Sequence, residues 1–146
     1  MANLPSQWNR RTLQAVLAER ARADGASLAD TAAAAWWRIA RTLAPVIGEL
    51  GVVALFDRSL HLAEIEFPWL STAPSGAGIE SSAARLRLCL AAREDADPDG
   101  VAAAGSAQLS IFAELLTLLI GQSLGERLLQ PAWPGPAGSA AMETEP

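Results

Sequence analysis

Two long apolar segments decide the fold: VIGELGVVALFDRSLHLAEIEF at residues 46–67 and AAAGSAQLSIFAELLTLLIGQSLGERLL at residues 102–129. Both are longer than an ordinary strand, and their leucine and alanine residues recur at helical spacing. We therefore predict that each segment forms a long helix that is buried on more than one side. A chain of 146 residues has room for one compact core, and these two helices would form its centre.

Capping and breaking residues place further helices around this pair. Ser6 or Asn9 can cap a first helix and Ser27 a second, and a loop rich in Ser, Pro and Gly separates the third helix from a fourth. Pro45 either kinks a continuous helix or separates the second helix from the third. The sequence thus predicts an all-α, compact bundle of about five helices with two long central helices. This single domain would span residues 1–130, with a disordered Pro/Gly-rich tail at 131–146.

Charge and cysteine content limit the classes of partner. The chain has 16 acidic and 11 basic residues, for a net charge of -5, so it offers little to a phosphate backbone and we expect no nucleic-acid partner. The apolar run at 109–121 contains Glu114 and is shorter than the roughly 20 residues of a membrane-spanning helix, so we expect no membrane partner. Cys89 stands alone, which excludes an internal disulfide and indicates a cytoplasmic protein.

Motifs for catalysis or metal binding are missing or incomplete. The sequence contains no glycine-rich phosphate loop, no Gly-x-Ser-x-Gly elbow, no Cys-x-x-Cys pair and no His-Glu-x-x-His helix. The segment DADPDG at residues 95–100 matches the opening of a calcium loop, but Ser106 occupies the position that must supply a bidentate carboxylate. We therefore predict no catalytic residue, no metal and no cofactor, and an enzymatic role is not favoured.

Polar and aromatic residues in the middle of the chain are the candidates for ligand binding. Asp57, His61 and Glu64 are spaced by four and three residues, which places them on one face of the third helix. A histidine between carboxylates can exchange protons or bind a ligand, and the alternative is a solvated face with local ion pairs. Trp36 and Trp37 are adjacent, so they cannot both face the same core, and Trp37 is the one expected at a boundary.

The last helix is apolar around nearly its whole circumference, which suggests that something covers a second face. Small residues four apart, as at Gly121 and Gly125, allow another helix to approach closely. This helix is either the central partner of the third helix in a monomer or the seam of a symmetric homodimer. For the seam we predict Leu115, Leu116 and Leu119 together with the two glycines.

Two stretches also resemble a loose pattern shared by an uncharacterised group of small helical bacterial proteins. The resemblance covers about a third of the chain and consists mostly of packing residues. It implies a helical fold and no particular activity. The matching residues are Pro45 to Gly51, Arg58 to Leu62 and Pro68 to Leu70 in the first stretch, and Leu119 to Gly121, Glu126 to Leu129 and Trp133 in the second.

Two functions fit these observations. The first is a non-enzymatic helical regulatory or adaptor protein that homodimerises and presents a helical surface to a protein partner. The alternative is a small-ligand sensor with a pocket between the two long helices, with Asp57, His61 or Trp37 at its mouth. An apolar cavity with one polar wall would favour the sensor, and a dry, filled core around Leu50, Val53 and Leu116 would count against it.

Overall fold

The computed structural model of the chain describes residues 8–72 and 78–133, and it confirms the predicted all-α bundle. Within these two ranges the chain forms α-helices and short 3-10 turns, and no strand. The bundle has one more α-helix than the sequence predicts. The helices are α1 (Arg10–Asp24), α2 (Leu28–Ile47), α3 (Glu49–Glu66), α4 (Gly78–Glu94), α5 (Pro98–Ile120) and α6 (Gln122–Leu129), and the 3-10 turns are Pro68–Thr72 and Gln130–Ala132.

Local capping starts the first two helices where the sequence predicts. The Asn9 side chain accepts a hydrogen bond from the backbone N–H of Thr12 at 2.9 Å. The Ser27 hydroxyl accepts one from the N–H of Asp30 at 3.0 Å. Each bond satisfies a donor that has no partner inside its helix, so Ser27 is confirmed as the cap of α2, and of the two residues predicted for α1 the cap is Asn9.

Two carboxylates join helix ends across the bundle and fix the direction of α2 relative to α4. Glu94, at the end of α4, accepts from the backbone N–H groups of Leu28 at 2.7 Å and Ala29 at 3.0 Å, at the start of α2. Glu49, just after α2, accepts from the N–H of Ile79 at the start of α4 at 3.2 Å. The start of each helix thus meets the end of the other, and α2 and α4 are antiparallel.

The centre of the core lies where α2, α3 and α5 meet. Trp36 is completely buried, and its ring centroid lies 4.6 Å from that of Phe56 and 4.9 Å from that of Phe112. One turn away from these rings, the Gln108 amide of α5 donates to the Ser59 hydroxyl of α3 at 2.8 Å. Because Phe56 precedes Ser59 while Phe112 follows Gln108, α3 and α5 are also antiparallel.

Glycines, not Pro45, interrupt the long helices. The helix continues through Pro45 to Ile47 and breaks at Gly48, and the predicted continuous helix over residues 102–129 is wrong because it breaks at Gly121. The two breaks share one geometry, with φ 86° and ψ 151° at Gly48 and φ 94° and ψ 155° at Gly121. Each glycine N–H still donates to the carbonyl four residues earlier, at 2.8 Å in both cases. A positive φ disfavours residues with a side chain, so glycine is the residue that fits.

The two glycine breaks lie at the same end of the bundle. Starting from the Ser59–Gln108 hydrogen bond, nine residues toward the start of α3 lead to Leu50, and nine residues toward the end of α5 lead to Thr117. In an antiparallel pair these two positions are level with each other. Gly121 is one turn beyond Thr117, and Gly48 is two residues before Leu50. The break between α2 and α3 and the break between α5 and α6 therefore lie at the same end of the fold.

The packed structure extends three residues past the predicted domain boundary at residue 130. Ala132 is completely buried, and the Trp133 ring meets the Trp8 ring edge-on at 5.3 Å between centroids. The first residues of the predicted tail at 131–146 therefore belong to the fold. The remainder of that tail, residues 134–146, lies outside the described residues.

Among the helices that the structure describes, α5 is the one long and apolar enough to cross a membrane by length and composition. Its most apolar 18-residue window is 61% buried inside the bundle. The helix packs against α1, α2, α3, α4 and α6. Burial of this kind is typical of the core helix of a helical domain.

Candidate functional site

The outer face of α3 holds the predicted polar group. Asp57 and His61 are exposed and Glu64 is half-buried. The Asp57 carboxylate accepts from the Arg85 guanidinium of α4 at 3.1 Å, and the Asp57 side chain is 53% exposed. Within the described part of the chain, no group of three or more His, Cys, Asp or Glu side chains is arranged to hold a metal ion. This face has the character of a solvated surface with one interhelical ion pair.

Trp37 lies on a different surface from that group. It is half-buried on α2, while its neighbour Trp36 is fully buried, so the predicted division of the two indoles is confirmed. Trp37 borders two open clefts. One, of about 330 Å³, lies against the start of α4, and the other, of about 590 Å³, lies along α2. Neither is lined by Asp57, His61 or Glu64, so the structure does not bring the four predicted ligand-binding residues into one cleft.

Packed side chains fill the contact between α3 and α5, where the sensor hypothesis places its pocket. Phe56, Ser59, Gln108 and Phe112 are all completely buried there. Two polar atoms in this layer have no hydrogen-bond partner among the described residues: the Trp36 indole Nε1 and the Gln108 carbonyl Oε1. Of the three residues whose burial would count against the sensor, Leu116 is completely buried and Val53 is half-buried, but Leu50 is 86% exposed, so the expected filled core extends to Leu116 and not to Leu50.

The residues predicted for a dimer seam divide into two groups. Leu116 is completely buried in the core, and Gly125 is buried, with Thr117 so close that an added Cβ would lie 3.1 Å from its hydroxyl oxygen. These two positions offer no surface to a partner. Leu119 is 64% exposed, and Gly121 is exposed as well. Leu115, the remaining seam residue of the prediction, is half-buried.

Exposed apolar side chains are concentrated around the two glycine breaks. Seven large apolar side chains are exposed in the described residues, and five of them lie within three positions of Gly48 or Gly121. We call these five the end patch, because both breaks lie at one end of the bundle. Its members are Val46 (52% exposed), Leu50 (86%), Leu118 (62%), Leu119 (64%) and Leu124 (39%).

Sequence analysis identified only Leu119 of the end patch. The other four members were missed because they belong to apolar runs that resemble continuous buried helices. The available signal was the isoleucine-glycine step at residues 47–48, which recurs at residues 120–121 with a leucine soon after each glycine. Where a helix changes direction, the side chains on either side of the break lose the neighbour that would have covered them.

The acidic turn at residues 95–100 has a structural role. The Asp97 carboxylate accepts from the backbone N–H of Gly100 at 3.0 Å and so caps α5, with Pro98 in the first turn. Aspartate at the N-cap and proline at the first position are the residues that favour a helix start. The calcium-like spacing is therefore explained by helix capping.

Comparison with known proteins leaves the function to be argued from the structure itself. No protein-family model matches the chain, and neither the curated proteins nor the solved structures contain a significant match to it.

Proposed function

We propose that the chain is a non-enzymatic helical regulatory or adaptor protein of the cytoplasm that homodimerises through the end patch and presents its remaining helical surface to a protein partner. The observation that carries this proposal is the concentration of exposed leucines at the two glycine breaks. Side chains of this kind are ordinary when scattered singly over a surface, whereas several grouped at one end of a bundle are typical of an interaction site.

The size of the end patch suits the centre of a dimer interface. Five side chains exposed to between 39% and 86% offer apolar area on the order of 500 Å², comparable with the largest patch on a typical monomer. One partner of a standard interface buries about 800 Å², so a rim of polar residues would supply the rest. Gln122 and Glu126, which hydrogen-bond to each other at 3.2 Å, stand beside the patch on α6.

A second copy of the chain suits the end patch better than a membrane does. Helices that lie on anionic membranes carry Lys or Arg beside their apolar face. This chain has no lysine and a net charge of -5, which opposes attraction to anionic lipid. A two-fold dimer needs only that the same patch meet itself, and an apolar patch is complementary to itself without matched charges.

Sedimentation velocity and native mass spectrometry of the full chain test this proposal. We expect a dimer at micromolar concentration that dissociates on dilution, with no small molecule retained in the native spectrum. A chain that stays monomeric up to about 100 μM would refute homodimerisation, since that corresponds to a binding free energy weaker than about 5.5 kcal/mol. A ligand retained at stoichiometric amount would favour the sensor instead.

A further inference from the structure

The outer face of α2 carries a basic and aromatic groove that the end patch does not include. The groove is lined by Ala34, Trp37, Arg38, Arg41 and Thr42, and its volume is about 590 Å³. The Arg41 guanidinium lies 5.9 Å from the centroid of the Trp37 ring, within the range of a cation–π contact. None of the five lining residues is acidic. We refer to these residues as the α2 groove.

The two arginines of the α2 groove are exposed, and neither forms an ion pair with a described carboxylate; Asp24, which lines the adjoining cleft with Arg38, pairs with Arg20. The ion pairs of the described residues occupy other arginines, such as Arg20 with Asp24 at 3.0 Å and Arg85 with Asp57 at 3.1 Å. Arg38 makes one contact, a hydrogen bond of 3.5 Å from its guanidinium to the backbone carbonyl of Trp133. Other arginines also lack an ion pair, and what distinguishes Arg38 and Arg41 is that both line one groove with an indole ring.

The contact between Arg38 and Trp133 also fixes where the rest of the chain begins. Residue 134 follows directly from a backbone group that touches the edge of the α2 groove. The segment 134–146, PGPAGSAAMETEP, contains Glu143 and Glu145 and no basic residue. Glu143 follows Trp133 by ten positions, a length of chain that can span up to about 33 Å. Arg41 is only one helical turn from Arg38, about 5 Å along α2, so the glutamates can reach both arginines.

We propose that the α2 groove binds the chain's own acidic segment around Glu143 and Glu145. Each carboxylate would pair with one of the two arginines, and the segment would cover the exposed part of the Trp37 ring. Single surface ion pairs are weak, but attachment to Trp133 supplies a high local concentration of the segment. The groove would thereby be occupied in cis, and an acidic peptide of another protein would have to displace it.

A spin label near the two glutamates tests this contact in the full chain. Cys89 is buried, so a nitroxide reagent should label only the introduced cysteine of Thr144→Cys, and the wild-type chain serves as the labelling control. In ¹⁵N-labelled protein we expect the indole N–H signal of Trp37 to fall below half its diamagnetic intensity. High salt should restore the signal, because salt screens the attraction between exposed charges.

Matched variants distinguish the α2 groove from a general attraction between an acidic segment and a basic surface. Arg38→Gln with Arg41→Gln should remove the broadening of Trp37. Arg58→Gln with Arg87→Gln changes the same charge at two other exposed arginines and should leave it unchanged. Absence of broadening at Trp37, or equal loss with both pairs of variants, would overturn the proposal.

A mixing experiment establishes which copy supplies the segment. Chain at natural nitrogen abundance that carries the nitroxide is mixed with ¹⁵N-labelled chain that carries no nitroxide. In the cis arrangement the mixture shows no broadening at Trp37. Broadening in the mixture that persists below the Kd of the dimer would overturn the cis arrangement and assign the segment to a second copy. The Kd of the dimer matters here because Val46 of the end patch lies one helical turn from Thr42 of the groove, so a dimer formed through the patch would itself bring a second copy near the groove.

Discussion

Leu50→Glu is the sharpest test of the end patch, because it changes the most exposed member of the patch without touching the core. The side chain is 86% exposed on the first turn of α3, so the monomer should lose no more than about 0.5 kcal/mol of stability. In a two-fold dimer the same position is buried twice. Burying a leucine side chain contributes roughly 2 kcal/mol, so the dimer should lose about 4 kcal/mol. That loss corresponds to a Kd raised about 1,000-fold.

The control lies on the same helix at the opposite end of the bundle. Ile65 is 74% exposed near the end of α3, and Ile65→Glu adds the same negative charge as Leu50→Glu. Sedimentation velocity over a concentration series gives the Kd of each variant, and thermal unfolding followed by circular dichroism checks the monomer. We expect Ile65→Glu to retain the wild-type Kd. Equal Kd values for Leu50→Glu and wild type, or equal weakening by both variants, would refute self-association through the end patch.

Five further substitutions test the fold and the polar face, each measured as the free energy of unfolding by urea denaturation. Gly48→Ala should cost about 1 to 2 kcal/mol of stability because it forces a positive φ on alanine. Gly51→Ala should increase stability by about 0.5 to 1 kcal/mol, because Gly51 lies within a helix and has room for a methyl group. A change of the same sign in both variants would contradict the break geometry. Glu94→Ala should cost about 1 to 2 kcal/mol, since two N–H groups at the start of α2 lose their acceptor, and an unchanged stability would show that the cap is dispensable. Gln108→Met should change stability by less than about 1 kcal/mol, because removing an unpartnered buried carbonyl offsets the lost hydrogen bond to the Ser59 hydroxyl. A loss above about 2 kcal/mol would mean that the amide has a further partner. His61→Ala should stay within about 0.5 kcal/mol of wild type, as expected for an exposed helix position, and a loss of several kcal/mol would show that the imidazole has a structural role.

Features that depend on a few neighbouring residues could be predicted from the sequence. Asn9 and Ser27 begin their helices because a side-chain oxygen three residues before a free N–H satisfies it whatever the tertiary fold. The division between Trp36 and Trp37 also follows from helix geometry alone, since adjacent side chains point about 100 degrees apart. The all-α class follows from the helical spacing of the apolar residues along the chain.

Features that depend on how the helices meet could not be predicted. Gly48 and Gly51 stand in the same apolar run, yet the first breaks the helix and the second lies inside it. A glycine within a helix costs only about 1 kcal/mol, so local preference does not distinguish the two cases. Leu116 and Leu119 illustrate the same difficulty for the candidate site. One is completely buried and the other 64% exposed, because α3 begins level with the last turn of α5 and leaves that turn uncovered.

The repetition of one break geometry at one end of the fold also bears on why the end patch is apolar. Gly48 and Gly121 explain the change of direction, but they place no demand on the residues two or three positions away. A polar residue at position 50 would continue α3 equally well, because a side chain that is 86% exposed contributes little to the packing of its own monomer. The stability of the monomer therefore gives no reason for leucine there. Burial against a second copy supplies one, and it predicts that the backbone amides around the end patch exchange more slowly with solvent at concentrations where the dimer forms.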